Sequence, residues 1–166
     1  MYKKLTVTLM GLIISILSHA QTCNSNILRS TPDGRYELLN NGTEVKDTQT
    51  DLVWLRCSLG QVWSGAACTG SAVRYNWVNA LQTAKNMGNG WRLPNVKELD
   101  SLVEQACYNP SINETFLLGT VSSSYWSSSP TSHFAGAAWV VYFDLGFNTY
   151  YGNGAGSYVR LVRSEQ

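Results

Sequence analysis

The stretch Trp91-Arg92-Leu93-Pro94-Asn95-Val96-Lys97-Glu98-Leu99 decides how this chain is to be read. Pro94 holds the residue before it in extended backbone, because its ring collides with a helical neighbour. Asn95 and Glu98 then have the spacing of a capping box, in which each side chain accepts from the other residue's backbone N–H. An extended segment therefore turns directly into a helix, and the spacing of Val96, Leu99, Leu102, Val103 and Ala106 predicts that helix over Val96 to Ala106. The segment reads as architecture rather than as an active site. Upstream, Trp77, Leu81, Ala84 and Met87 share one helical face between a potential cap at Asn76 and a stop at Gly88. Two helices are expected.

Outward from this centre the pattern changes to strands. Arg35 to Leu39 and Thr43 to Asp47 flank Asn40, Asn41 and Gly42, residues that tolerate the positive φ angles of a tight hairpin. Asp51 to Cys57 alternates as a third strand, with Leu52, Trp54 and Arg56 on one face and Val53 and Leu55 on the other. After Tyr125, four segments separated by turn-forming residues predict an antiparallel meander: Tyr125 to Ser129, Ala137 to Phe143, Phe147 to Tyr151 and Tyr158 to Arg163. The loop at residues 152–156 is too rich in glycine to pack. It lacks the Lys and the following helix of a phosphate-binding loop.

The chain has 166 residues, 44% hydrophobic and 14% charged, a composition that fills a core and excludes a disordered chain. Lys3 and Lys4, the apolar run Leu5 to Leu17 and the small residues up to Ala20 make residues 1–20 an expected signal peptide, whose apolar run is too short to span a bilayer. Cleavage before Gln21 would leave 10 basic and 11 acidic residues, a formal charge of −1 that argues against a general nucleic-acid binder. It would also leave no stable membrane insertion. Cys23, Cys57, Cys68 and Cys107 all follow the signal, and an even count in an exported chain favours two disulfides over metal or thiol chemistry. Three pairings are possible. The short loop between Cys57 and Cys68 favours closing those two, which leaves Cys23 with Cys107.

Further motifs extend the pattern: Asp51-Leu52-Val53-Trp54-Leu55-Arg56-Cys57 with Trp63 and Cys68, then Cys107-Tyr108-Asn109-Pro110, Trp126-Ser127-Ser128, Trp139-Val140-Val141 and Val159-Arg160-Leu161-Val162-Arg163. With the Trp91 to Leu99 segment, in this order, the chain resembles the C-terminal domain of the Legionella collagen-like adhesin (Lcl) and its exported bacterial relatives. The resemblance covers roughly Thr43 to Arg163. It divides the chain into a signal at 1–20, an N-terminal arm and first strand at 21–42 and an Lcl C-terminal-like domain at 43–166. It implies an α+β, C-type-lectin-like fold, distantly similar to formylglycine-generating enzymes, with two helices beside a twisted antiparallel sheet. The adhesin of the family binds sulfated polysaccharide, which needs a basic patch. Arg74, Arg160 and Arg163 are the available residues here, although Arg92 and Arg160 are also expected as structural ion-pair partners. The chain contains no collagen-like repeat.

No catalytic residue stands out. His133 is the single histidine after the signal, and its turn-rich surroundings suggest an exposed loop. The reactive cysteines of the distantly similar enzymes do not carry over if all four here are in disulfides. The Glu-Pro-Asn and Trp-Asn-Asp motifs of calcium-dependent lectins are absent, and Asp144-Leu145-Gly146 reads as a hairpin turn. Neither a metal nor another cofactor is expected. The candidate ligand-binding residues are aromatic: Tyr142, expected to face outward from a strand whose Trp139, Val141 and Phe143 face the core; Tyr150, Tyr151 and Tyr158 beside the glycine-rich loop; and Trp63 in the loop between Cys57 and Cys68. Trp126 is expected in the core. The functional expectation is a secreted, periplasmic or surface-displayed binding module, without enzymatic activity, that recognises a glycan or a protein. The alternative is a structural accessory subunit of an envelope, pilus or secretion assembly.

Overall fold

The computed structural model describes residues 20–165, so the expected signal peptide lies outside the described residues except for Ala20. A short strand β1 (Thr22–Cys23) leads through a 3-10 turn at Asp33–Arg35 into β2 (Tyr36–Leu39), β3 (Glu44–Asp47) and β4 (Leu52–Leu55). Then come β5 (Val62–Trp63), β6 (Cys68–Thr69), α1 (Trp77–Asn86) and α2 (Val96–Asp100). The chain ends with β7 (Cys107–Tyr108), β8 (Ser124–Pro130), β9 (Ala137–Tyr142), β10 (Phe147–Gly152) and β11 (Val162–Ser164). Two antiparallel sheets dominate, in the orders β11-β4-β3-β2 and β10-β9-β8, while β1 pairs with β7 and β5 with β6. This is an α+β fold, stapled by disulfides at Cys23–Cys107 and Cys57–Cys68.

The N-terminal hairpin forms where the Asn-Asn-Gly step allows it. Asn40, Asn41 and Gly42 hold φ at 48°, 54° and 80°, the left-handed region that closes Leu39 onto Glu44. The core is divided by strands buried on both faces. Trp54, Tyr125, Val141 and Val162 enter one apolar cluster, and their chain neighbours Val53, Trp126, Val140 and Leu161 enter a second one that packs against Ala80 and Ala84 of α1. Strand alternation produces this split, since successive side chains leave opposite faces of a strand. Trp126 is fully buried, as expected.

The central segment ties these layers together. The N–H of Arg92 donates to the Val162 carbonyl at 2.9 Å, and the Val162 N–H returns to the Arg92 carbonyl at 3.0 Å. The Pro94 carbonyl accepts from Ser128 at 2.7 Å, and the Val96 N–H donates to Ser129 Oγ at 3.0 Å. The capping box is present, with Asn95 Oδ1 accepting from the Glu98 N–H.

Three expectations need correction. The second helix ends at Asp100 rather than Ala106. Ser101 Oγ donates to the Glu98 carbonyl, and Val103 then bridges to Ile112, so Leu102, Val103 and Ala106 are buried by a turning chain instead of a helical face. The final segment does not complete the meander. Tyr158 bridges Tyr125 in parallel, and β11 crosses to pair with β4, Val162 opposite Trp54. Trp139, expected in the core with Val141 and Phe143, is only half-buried, whereas those two are fully buried; Tyr142, expected to look outward, is half-buried as well, on a face that also carries the fully buried Ala138 and Val140.

The N-terminal arm is part of the folded body. Cys23 is bonded to Cys107, and Gln21 Nε2 donates to the Pro110 and Ile112 carbonyls at 2.7 and 2.6 Å. The buried Glu104 carboxylate accepts from the backbone of Ser30, Thr31 and Ala106 and from the Thr31 hydroxyl. Burial by itself would raise the pKa of Glu104, but these donors outweigh it and hold the carboxyl below its ordinary value.

Candidate functional site

The β9–β10 hairpin sorts the aromatic residues by register. Tyr142 pairs with Phe147 and Trp139 with Tyr150, at odd and even positions of the strand, so the two pairs lie on opposite faces of the sheet. Tyr142 and Phe147 stack on each other, with centroids 5.3 Å apart and planes at 9°. At the other end, Tyr150 meets the Trp139 ring edge-on at 5.8 Å and lies 5.1 Å from Phe134 and 6.4 Å from His133. Phe134 is 56% exposed and Tyr150 36%, while Trp139 supports them from below the surface.

The other candidates go elsewhere. Tyr151 is half-buried and packs edge-on against Trp126 in the second cluster. Tyr158 is half-buried beneath the Arg74 guanidinium, 4.8 Å from its ring, and beside Tyr125. Trp63 is held on the disulfide-closed β5–β6 hairpin, where its Nε1 donates to the Asn41 carbonyl at 3.1 Å and the Arg56 guanidinium lies 4.2 Å from its ring. Phe134 is absent from the sequence candidates; His133 is exposed in its loop, as expected, and has aromatic neighbours. The available signal was a bulky aromatic inside the turn-rich Pro130 to Gly136 connection, where no packing role calls for one.

Most cations have structural duties. Arg35 pairs with Asp47, Lys46 with Glu165, Arg92 with Glu98 and Arg163 with Glu44. Arg56 donates to the carbonyls of Phe116 and Thr115. Arg160, expected in an ion pair, has none among the described residues. It is fully buried and donates to the Leu55 and Arg56 carbonyls, the Thr120 hydroxyl at 2.7 Å and Ser58 Oγ. Burial lowers its pKa. Four hydroxyl and carbonyl dipoles replace the carboxylate, and sequence patterns do not show such a cage. Arg29, Arg74, Lys85 and Lys97 carry no carboxylate partner among the described residues, and they are dispersed over the N-terminal arm, a loop and the two helices.

Four concave regions lie away from the aromatic cluster. A groove of about 400 Å³ runs between the end of α1 and Trp91 to Leu93, with Lys85 and Arg92 at its edge. A smaller apolar hollow of about 250 Å³ is lined by Trp63, Leu55, Leu59 and Met87. Larger open depressions of about 770 and 640 Å³ border the N-terminal arm around Ile27. Among the described residues, no three His, Cys, Asp or Glu side chains gather as metal ligands. Asp144, in the β9–β10 turn, accepts through Oδ1 from the Ser122 hydroxyl, which precedes β8, at 3.1 Å.

A model of the Lcl C-terminal domain matches residues 43–163 of this architecture. The chain belongs to the Lcl C-terminal domain family. No curated protein matches it. An Lcl C-terminal domain fits an extracellular binding or adhesin-like module in general. The disulfides agree with an extracellular setting, and no helix among the described residues is long and apolar enough to cross a membrane. In this member of the family, residues outside the matched region are joined to it through Cys23, Gln21 and Glu104.

Proposed function

We propose that this Lcl C-terminal domain is an exported, non-enzymatic binding module that recognises a glycan through Tyr150 and Phe134. The observation that carries the reading is the pair of exposed rings, 5.1 Å apart and backed by Trp139 on a two-stranded register. Sugar rings present apolar C–H faces to such platforms, and side chains already fixed by neighbours lose little entropy on binding. Asn148, two residues before Tyr150 on the same face of β10, and Ser132, two residues before Phe134, are polar and uncharged. Together with the dispersal of the free cations, this favours a neutral glycan over a sulfated one.

A glycan array probed with the oxidised protein from Gln21 onward tests the reading. Binding to neutral glycans that persists in a metal chelator and is lost in Tyr150→Ala supports it. Absence of glycan binding, with specific capture of an envelope protein instead, would replace it with the accessory-subunit reading.

A further inference from the structure

The β10-β9-β8 sheet has one open edge. Ala137 and Trp139 turn their carbonyls toward β8, accepting from the Thr131 N–H at 3.1 Å and from Ser127 Oγ at 2.8 Å. Their β10 partners, Gly152 and Tyr150, and Asn148 two residues further along, therefore direct their N–H and C=O groups away from β9. Among the described residues, no strand pairs with this side of β10. The other margins of the two large sheets are managed: β8 is covered through the Tyr125–Tyr158 bridge, β11 through the Arg92–Val162 bridge, and the four-residue edge strand β2 carries Glu37. β10 has six residues, Phe-Asn-Thr-Tyr-Tyr-Gly, with no charge, no proline and no break in its pairing with β9. Such an edge is a template for another strand, which natural proteins usually protect.

We propose that β10 pairs antiparallel with β10 of a second copy of this chain, with Tyr150 on the two-fold axis. Three features favour a second copy over an unrelated strand. The strand is uncharged, so copies meet without the like-charge opposition that Glu37 would bring to a β2 pair. Pairing about Tyr150 brings each outward backbone group against its complement and sets Asn148 opposite Gly152, which has no side chain to crowd it. A two-fold interface also needs only one self-complementary patch and closes after one contact.

Pairing of two copies would also enlarge the aromatic surface of the proposed glycan site. Both Tyr150 rings would lie on the same face of a continuous sheet, about 5.5 Å apart at their Cα atoms. The two Trp139–Tyr150 pairs would then form one aromatic strip, and a chain without a collagen-like repeat would gain a second binding unit.

Sedimentation velocity of the oxidised protein from Gln21 onward, over a wide concentration range, tests the pairing without any glycan readout. A monomer–dimer equilibrium is expected for the natural sequence. Asn148→Pro removes an outward N–H that β9 does not use, so it should abolish the dimer while leaving near-UV circular dichroism and melting unchanged. Should that variant fail to fold, Tyr150→Lys provides the second test, because it places two ammonium groups opposite one another on the axis, and should likewise give a monomer. A natural chain that stays monomeric throughout, or a dimer that survives in the folded variants, would overturn the proposal.

Discussion

Arg92 holds the Glu98 carboxylate through both terminal nitrogens at 2.7 Å, and the same carboxylate accepts from the Asn95 backbone N–H at 2.7 Å. One side chain thus closes the capping box and joins the extended Trp91 to Pro94 segment to α2. Glu98→Ala removes both functions and should cost about 1.5 kcal/mol in urea denaturation. Arg92→Ala should cost less, about 0.5 kcal/mol, because its guanidinium is half-exposed and the cap remains. Equal losses would mean that the cap contributes little.

Acid should weaken the attachment of the N-terminal arm. Glu104 has a pKa held below its ordinary value in the folded protein, so its contribution is complete above about pH 4.3 and is lost as pH falls through the folded pKa. Glu104→Gln leaves the same donors facing a neutral amide and should cost about 2 kcal/mol near neutral pH. Melting curves at pH 7 and at pH 3 check this: the gap between natural and variant protein should narrow in acid. A gap that stays constant would show that the carboxylate charge is not what holds the arm.

The disulfides should differ in weight. Cys23–Cys107 closes a separation of 84 residues and Cys57–Cys68 one of 11. In the chain-entropy model, the long link contributes about 4.5 kcal/mol and the short one about 3 kcal/mol. Paired Cys-to-Ser variants compared by denaturant unfolding give the order directly. The short pair should instead loosen Trp63 locally, seen as faster hydrogen exchange across β5 and β6.

Arg160→Ala should cost about 3 kcal/mol or more, since it removes a fully buried side chain and leaves the Thr120 hydroxyl and two carbonyls without their donor. Thermal unfolding measures it. A loss below about 1 kcal/mol would mean that water replaces the guanidinium.

Much of the fold was legible where local chemistry and tertiary need coincide. Pro94, Asn95 and Glu98 specify their turn into α2 from side chains alone, and Asn40 to Gly42 specify the hairpin. The end of α2 was not legible, because Leu102, Val103 and Ala106 keep a helical spacing while a turning chain buries them, Leu102 and Val103 in the first apolar cluster. The crossing of the final segment depends on β4, more than a hundred residues away in the chain. Of the aromatic candidates, Tyr150 could be recognised by its position beside the glycine-rich loop. Phe134 and Trp139 could not, since their meeting depends on the register that sets Trp139 opposite Tyr150 and on the path of residues 131–136.

Recognition is assigned to the Phe134–Trp139–Tyr150 cluster. NMR chemical-shift mapping of the isotope-labelled protein, titrated with a neutral glycan selected on the array, tests it most directly. Saturable shifts of the Phe134 and Tyr150 ring signals and the Trp139 indole N–H, with the Lys85 to Arg92 groove unchanged, are the predicted result. Shifts confined to that groove, or to the depressions around Ile27, would contradict it.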